Sequence, residues 1–199
     1  MARAVLVWSV STLACLASAS GASAASRPQE RHGFWIGFGF GPGSANVSCD
    51  DCGGTDRETS VAGNLRLGGT INEHLLFGGE FDVWTKEQED TTFSLYNAVA
   101  TLTVYPQPSA GFFFKAGVGF SFVDTRLREG STTVTVDLGN GLGLLAGVGY
   151  DLRVGKNISV TPAVSFWYGQ QGDITLAGET VFRNWKHNVV DFTVGVTFH

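Results

Sequence analysis

The chain has 199 residues, with 13 Lys and Arg against 18 Asp and Glu and a formal net charge of -5; it contains no basic cluster, so it lacks the electrostatic footprint of a nucleic-acid binder. Its 27 glycines against 5 prolines, 12% aromatic content and scattered β-branched residues suit a twisted all-β chain and argue against a helical one.

Residues 1–24 read as an export leader. Arg3 precedes the apolar stretch Ala4 to Ala19, and Ala22, Ser23 and Ala24 form an A-x-A cleavage pattern, so a mature start is expected near Ala25. Ser9, Ser11, Thr12 and Ser18 leave the stretch too weakly hydrophobic for a good membrane-spanning helix. Cys15 follows Thr12, Leu13 and Ala14 without the leucine usual three positions before a lipidated cysteine, and reads as an ordinary leader residue. Residues 25–199, about 175 of them, make one domain, and losing Arg3 takes the net charge to about -6.

Eight segments with period-two alternation follow in chain order. In GFWIGFGFG, Phe34, Ile36, Phe38 and Phe40 share one face and Trp35 with three glycines takes the other. SVAGNLRLGGTI sets Val61, Leu65, Leu67 and Ile71 opposite Ala62, Asn64, Arg66 and Thr70, and LLFGGEFDVWT sets Phe77, Phe81 and Val83 opposite Glu80 and Asp82. FSLYNAVATLTVY alternates least clearly, with Ala98, Ala100, Leu102 and Val104 against Asn97, Thr101 and Thr103. GFFFKAGVGFSF is the clearest, with Phe112, Phe114, Ala116, Val118, Phe120 and Phe122 opposite Lys115, Gly117, Gly119 and Ser121. GLGLLAGVGYDLRV, ISVTPAVSFWYG and NVVDFTVGVTFH complete the set; the first two are joined by the tight turn Gly155 to Asn157, and Pro162 marks a weakened ladder.

Alternation alone also fits a soluble lipocalin-like barrel or an immunoglobulin-like sandwich. A soluble β protein turns a charge-rich face to water, whereas the polar face here is mainly glycine and small polar residues with a few charges of both signs, as suits a narrow lumen. The apolar face runs for about 9 to 11 residues in most segments, enough to cross a bilayer at a tilt. Phe34, Phe112, Tyr150 and Phe198 at one end, and Trp84, Phe122, Tyr168 and Trp185 at the other, are expected to form interfacial girdles. The expected fold is therefore an all-β, eight-stranded antiparallel up-and-down transmembrane β-barrel.

With export leader, eight amphipathic strands, alternately short and long connections and the ending VVDFTVGVTFH, the whole mature chain resembles the small outer-membrane barrels of the OmpA-transmembrane, OmpX and OmpW type. The resemblance implies residence in the outer membrane of a Gram-negative bacterium, with membrane lipids and lipopolysaccharide as surroundings. Gly195 and Phe198 resemble the terminal-strand signal read by the barrel-assembly machinery, although His199 follows where the family ends on its aromatic. Family orientation puts both termini in the periplasm and four loops at the cell surface, approximately Pro42 to Glu58, Lys86 to Thr92, Asp124 to Asp137 and Gln170 to His187.

In the first loop, SCDDCGG reads as a local disulfide between Cys49 and Cys52 in an exported chain. Zinc needs more ligands than this pair, thioredoxin-like chemistry needs a following helix start, and Asp50 with Asp51 is a thin calcium signal, so neither metal nor cofactor is expected. Barrel enzymes that modify lipid A would need a serine and a histidine on neighbouring strands. His32 and His74 sit near turns, His187 falls in a surface loop and His199 at the periplasmic end, so no catalytic residue is expected. Parity directs a charge network of Arg66, Glu80, Asp82, Lys115, Asp151, Arg153 and Asp191 into the lumen, with Arg66 directly opposite Glu80. The expected function is a monomeric, non-enzymatic barrel plugged by its own side chains, serving envelope structure or surface interaction. The alternative is an OmpW-like conduit or binder for small apolar molecules, lined by Trp35, Leu145 and Trp167.

Overall fold

The structure, a computed structural model, describes residues 31–50, 52, 56–129, 132–176 and 179–199. The leader, its cleavage point, Cys15 and Asp51 lie outside them.

Nine strands form one antiparallel sheet: β1 (Phe34–Ser48), β2 (Glu58–Asn72), β3 (Leu75–Gln88), β4 (Thr91–Val104), β5 (Phe112–Glu129), β6 (Thr132–Tyr150), β7 (Leu152–Arg153), β8 (Ile158–Leu176) and β9 (Glu179–Phe198). Neighbours in sequence pair through β6; β6 pairs β8, β8 pairs β9, and β9 returns to β1, so the sheet closes on itself. The two-residue β7 continues the line of β6 along β8, and the ring is an eight-stranded barrel. Closure leaves no edge within the bilayer, which the backbone requires where no water is available.

Alternation sorts the faces as the pattern implies. Phe40 is 73% exposed and Phe120 65% exposed on the outer surface, while Trp35, Lys115, Ser121 and Trp167 on the opposite parity are buried. An outer band of Phe, Leu and Val of this extent is far larger than the few hundred Å² of apolar patch that a soluble monomer exposes, and it is matched to lipid.

Three expectations are corrected. The long loops are mostly strand: β1 runs to Ser48, β3 and β4 are joined by Glu89 and Asp90, β5 and β6 extend to Glu129 and from Thr132, and β8 and β9 reach Leu176 and Glu179. Antiparallel pairing satisfies the backbone beyond the bilayer as well as within it, regularly where Thr and Val alternate at the start of β6 and with register shifts between β8 and β9. Trp84 and Trp185 are not girdle residues, since both are buried inside the barrel; each shares parity with an inward acid, Trp84 with Asp82 and Trp185 with Asp191. His187 is likewise inside, in β9.

Candidate functional site

The lumen is filled in layers. At the end that carries the described chain termini, Arg31 lies across the mouth: its guanidinium donates to Pro108 O at 2.9 Å and Ala110 O at 3.0 Å, and its Cζ sits 3.5 Å from the Tyr105 ring centroid. The Tyr105 hydroxyl donates to Asp151 Oδ2 at 2.7 Å, and Thr161 Oγ1 donates to Asp151 Oδ1 at 2.7 Å. Asp151 lies between β6 and β7, 3.9 Å from Arg31 and 3.7 Å from the His199 imidazole. Burial by itself pushes its carboxyl up, but His199, the Arg66 charge and the two hydroxyls outweigh burial and bring it down to about 2. Burial and then the Asp151 charge push the Tyr105 hydroxyl above its ordinary range, so it stays a donor. Trp35, Leu76, Tyr105 and Phe113 pack around this group.

The next layer is polar. The ladder sets Arg66 across from Glu80 and Asn64 across from Asp82. Glu80 nevertheless forms its ion pair with Lys115 rather than Arg66, and both side chains are 2% exposed. Arg66 turns toward the terminal end, donating to Thr197 Oγ1 at 2.7 Å and lying over the Phe113 ring, where Gly37 leaves space: a Cβ there would come within 2.9 Å of Arg66 Nε. Asp191 accepts from Trp167 Nε1 at 3.0 Å. Asp82 Oδ2, Asn97 Oδ1 and Asp191 Oδ1 are buried without a hydrogen-bond partner among the described residues. Arg153 sits half-buried in β7 near the terminal rim, away from Glu80.

Above the charges lies the larger apolar cluster, which includes Trp84, Leu95, Val99, Leu145, Trp167, Trp185 and Val189. His187 is embedded in it, with ring centroids 5.7 Å from Trp167 and 5.3 Å from Trp185. Its Nε2 lies 3.3 Å from Ser121 Oγ, and that hydroxyl donates to Tyr96 O at 3.0 Å. Sequence reasoning missed this pair by assigning His187 to a loop; continuing the parity of Asp191 upward through Val189 would have turned it inward.

At the far end the barrel opens into a cleft of about 790 Å³ between the upper parts of β1, β2, β3 and β4. Half-buried Val47 and Phe93, resting on buried Ala45 and Trp84, form its floor. Trp84 is held by donation from Nε1 to Gly43 O at 2.9 Å, with Phe93 set edge-on at 6.5 Å between centroids. Beside the cleft, Cys49 and Cys52 are joined as a disulfide. The amide of the intervening Asp50 donates to Arg183 O at 3.1 Å, and its carboxylate accepts from Asn184 Nδ2 at 3.1 Å, tying this segment to β9. On the terminal strand, Phe198 is exposed on the outer face and Gly195 packs against β1, where a Cβ would meet Phe38 O at 2.1 Å.

Among solved structures the barrel is similar to Neisserial surface protein A (NspA), with a TM-score of 0.56, 18% identity, and coverage of 85% of this chain and 98% of that one. It is similar also to Ail, the attachment invasion locus protein of Yersinia pestis, with a TM-score of 0.54, 12% identity, and coverage of 85% and 100%. At these identities the likeness is one of fold. Comparison with curated proteins finds no match. The model of the outer membrane protein beta-barrel domain matches residues 11–198, and the chain belongs to that family of outer-membrane barrels.

Proposed function

We propose that this protein is a sealed, non-enzymatic barrel that stands as a monomer in the outer membrane and presents its hairpin ends at the cell surface, for envelope structure or surface interaction. The observation that carries the reading is the filling of the polar layer. The space left between Arg66, Lys115, Thr161 and Thr193 is about 10 Å³, roughly one water position, which supports a filled rather than an open lumen at this level. Trp35, Leu145 and Trp167, which the alternative reading makes the lining of a conduit, are buried, and their burial supports the sealed reading. Against catalysis stands the burial of the Ser121–His187 pair: Ser121 spends its proton on Tyr96 O, and among the described residues His187 Nδ1 has no partner to orient it.

In this reading residues 1–24 are removed on export, Gly195 and Phe198 serve recognition by the assembly machinery, and lipopolysaccharide surrounds the outer-leaflet half of the barrel. Planar-bilayer recording of the refolded protein tests it. Only brief, irregular current is expected, and large steady channels would overturn the sealed-lumen reading.

A further inference from the structure

The cleft at the hairpin end combines two features. Its floor is apolar and partly aromatic, from Val47 and Phe93 backed by Trp84, and its rim carries Asp56, Glu58 and Glu89 against a single ammonium, Lys86. Lys86 is ion-paired to Glu58, which cancels one carboxylate. Asp56 and Glu89 have no ion-pair or hydrogen-bond partner among the described residues. Of the neighbouring cations, Arg57 turns its guanidinium to Asn188 Oδ1 at 2.7 Å and Ser44 O at 2.9 Å, and Arg126 lies 3.7 Å from Asp124. Arg126 and Arg128 face a second, smaller cleft across the β3–β4 turn, where Glu87 and Asp90 stand with Glu89.

From this charge and surface complementarity we infer that the cleft binds a small organic cation with an apolar body, of the arylammonium or alkylammonium class. The apolar body would cover Phe93 and Val47, gaining from area removed from water and from the ring face toward the positive charge, while the ammonium would lie against Asp56 and Glu89. Each half of the site selects against another ligand class. An anion meets uncompensated carboxylates, and a hydrated inorganic cation gains nothing from the floor. Among the described residues no three His, Cys, Asp or Glu side chains are grouped to hold a metal ion. The cleft is blind, since the cluster containing Trp84, Leu95 and Trp167 closes it below, so the inference concerns binding at the mouth and is independent of whether the lumen conducts.

The test is calorimetric titration of the refolded protein in phosphatidylcholine vesicles, with protein-free vesicles subtracted. The probes are benzyltrimethylammonium, benzyl alcohol, phenylacetate, tetramethylammonium and sodium ion. Saturable binding of benzyltrimethylammonium is expected, at least tenfold tighter than each of the other four and weakened by added salt. The variant Asp56→Asn/Glu89→Gln should lose tenfold or more in affinity, as should Phe93→Ala, with the heat-dependent gel mobility of the folded barrel retained by the exposed-rim variant. Equal binding of phenylacetate or benzyl alcohol would overturn the charge argument, and equal binding of tetramethylammonium or sodium ion would overturn the apolar one. Unchanged affinity in the folded Asp56→Asn/Glu89→Gln protein would overturn the site itself.

Discussion

Replacing Lys115 by Met removes the cation that faces Glu80 while keeping most of the side-chain volume. Both partners of this ion pair are 2% exposed, so solvent screening gives little relief, and the same layer holds Asp82 and Asp191, each 2 to 4% exposed with one carboxylate oxygen unpartnered. Breaking a buried pair from one side costs about 3–5 kcal/mol because the remaining charge is left uncompensated, a factor of roughly 10² to 10⁴ in the folding equilibrium. Arg66 cannot take over without abandoning Thr197, to which it donates at 2.7 Å. The double variant Lys115→Met/Glu80→Gln should recover more than half of the loss, since removing both charges leaves a neutral layer. The assay is urea unfolding of vesicle-inserted protein followed by tryptophan fluorescence, with heat-dependent gel mobility as the folding control. The same cycle on Arg66 and Glu80 should give the smaller coupling. The reasoning is refuted if Lys115→Met costs under about 1 kcal/mol, or if coupling to Glu80 is no larger for Lys115 than for Arg66.

Three further outcomes are expected. Asp151, held at about 2 in the folded barrel against 3.8 as its ordinary value, contributes stability that is fully present above pH 3.8 and lost as pH falls through about 2. The contribution is about 2 kcal/mol, and urea midpoints between pH 5 and pH 2 should fall for the wild type and much less for Asp151→Asn. Gly169→Ala would place a Cβ 2.2 Å from His187 Cε1 and 2.3 Å from Ser121 Oγ, and should destabilise the barrel by about 1–3 kcal/mol, whereas Gly69→Ala, with open space at its Cβ, should cost under about 1 kcal/mol in the same unfolding assay. Cys49 and Cys52 should resist thiol labelling on intact cells until a reductant is added; Cys49→Ser should loosen the end of β1, read as faster protease cleavage there, with a loss of at most about 2 kcal/mol in barrel stability.

The period-two pattern determined the eight rows, their lipid and lumen faces and the β2–β3 register, because parity is local and one tight turn around Glu73 and His74 sets the count that puts Arg66 across from Glu80. It also held the signal for Trp84, Trp185 and His187, which share parity with acids already assigned inward; reading their segments as interface or loop obscured it. Only the tertiary structure decided which charges meet. Through Val99 of β4, Glu80 stands level with Gly119 of β5, four residues from Lys115, so counting along ladders does not join them. The pair forms because the strands curve into a closed ring and the lysine's flexible stem runs along the inner face, past Gly147, where a Cβ would come within 2.7 Å of Lys115 Cε. The Arg31 plug and the mouth cleft are decided in the same way, since each joins residues from strands or turns far apart in the chain, and their distances are set by barrel diameter and tilt rather than by any local periodicity.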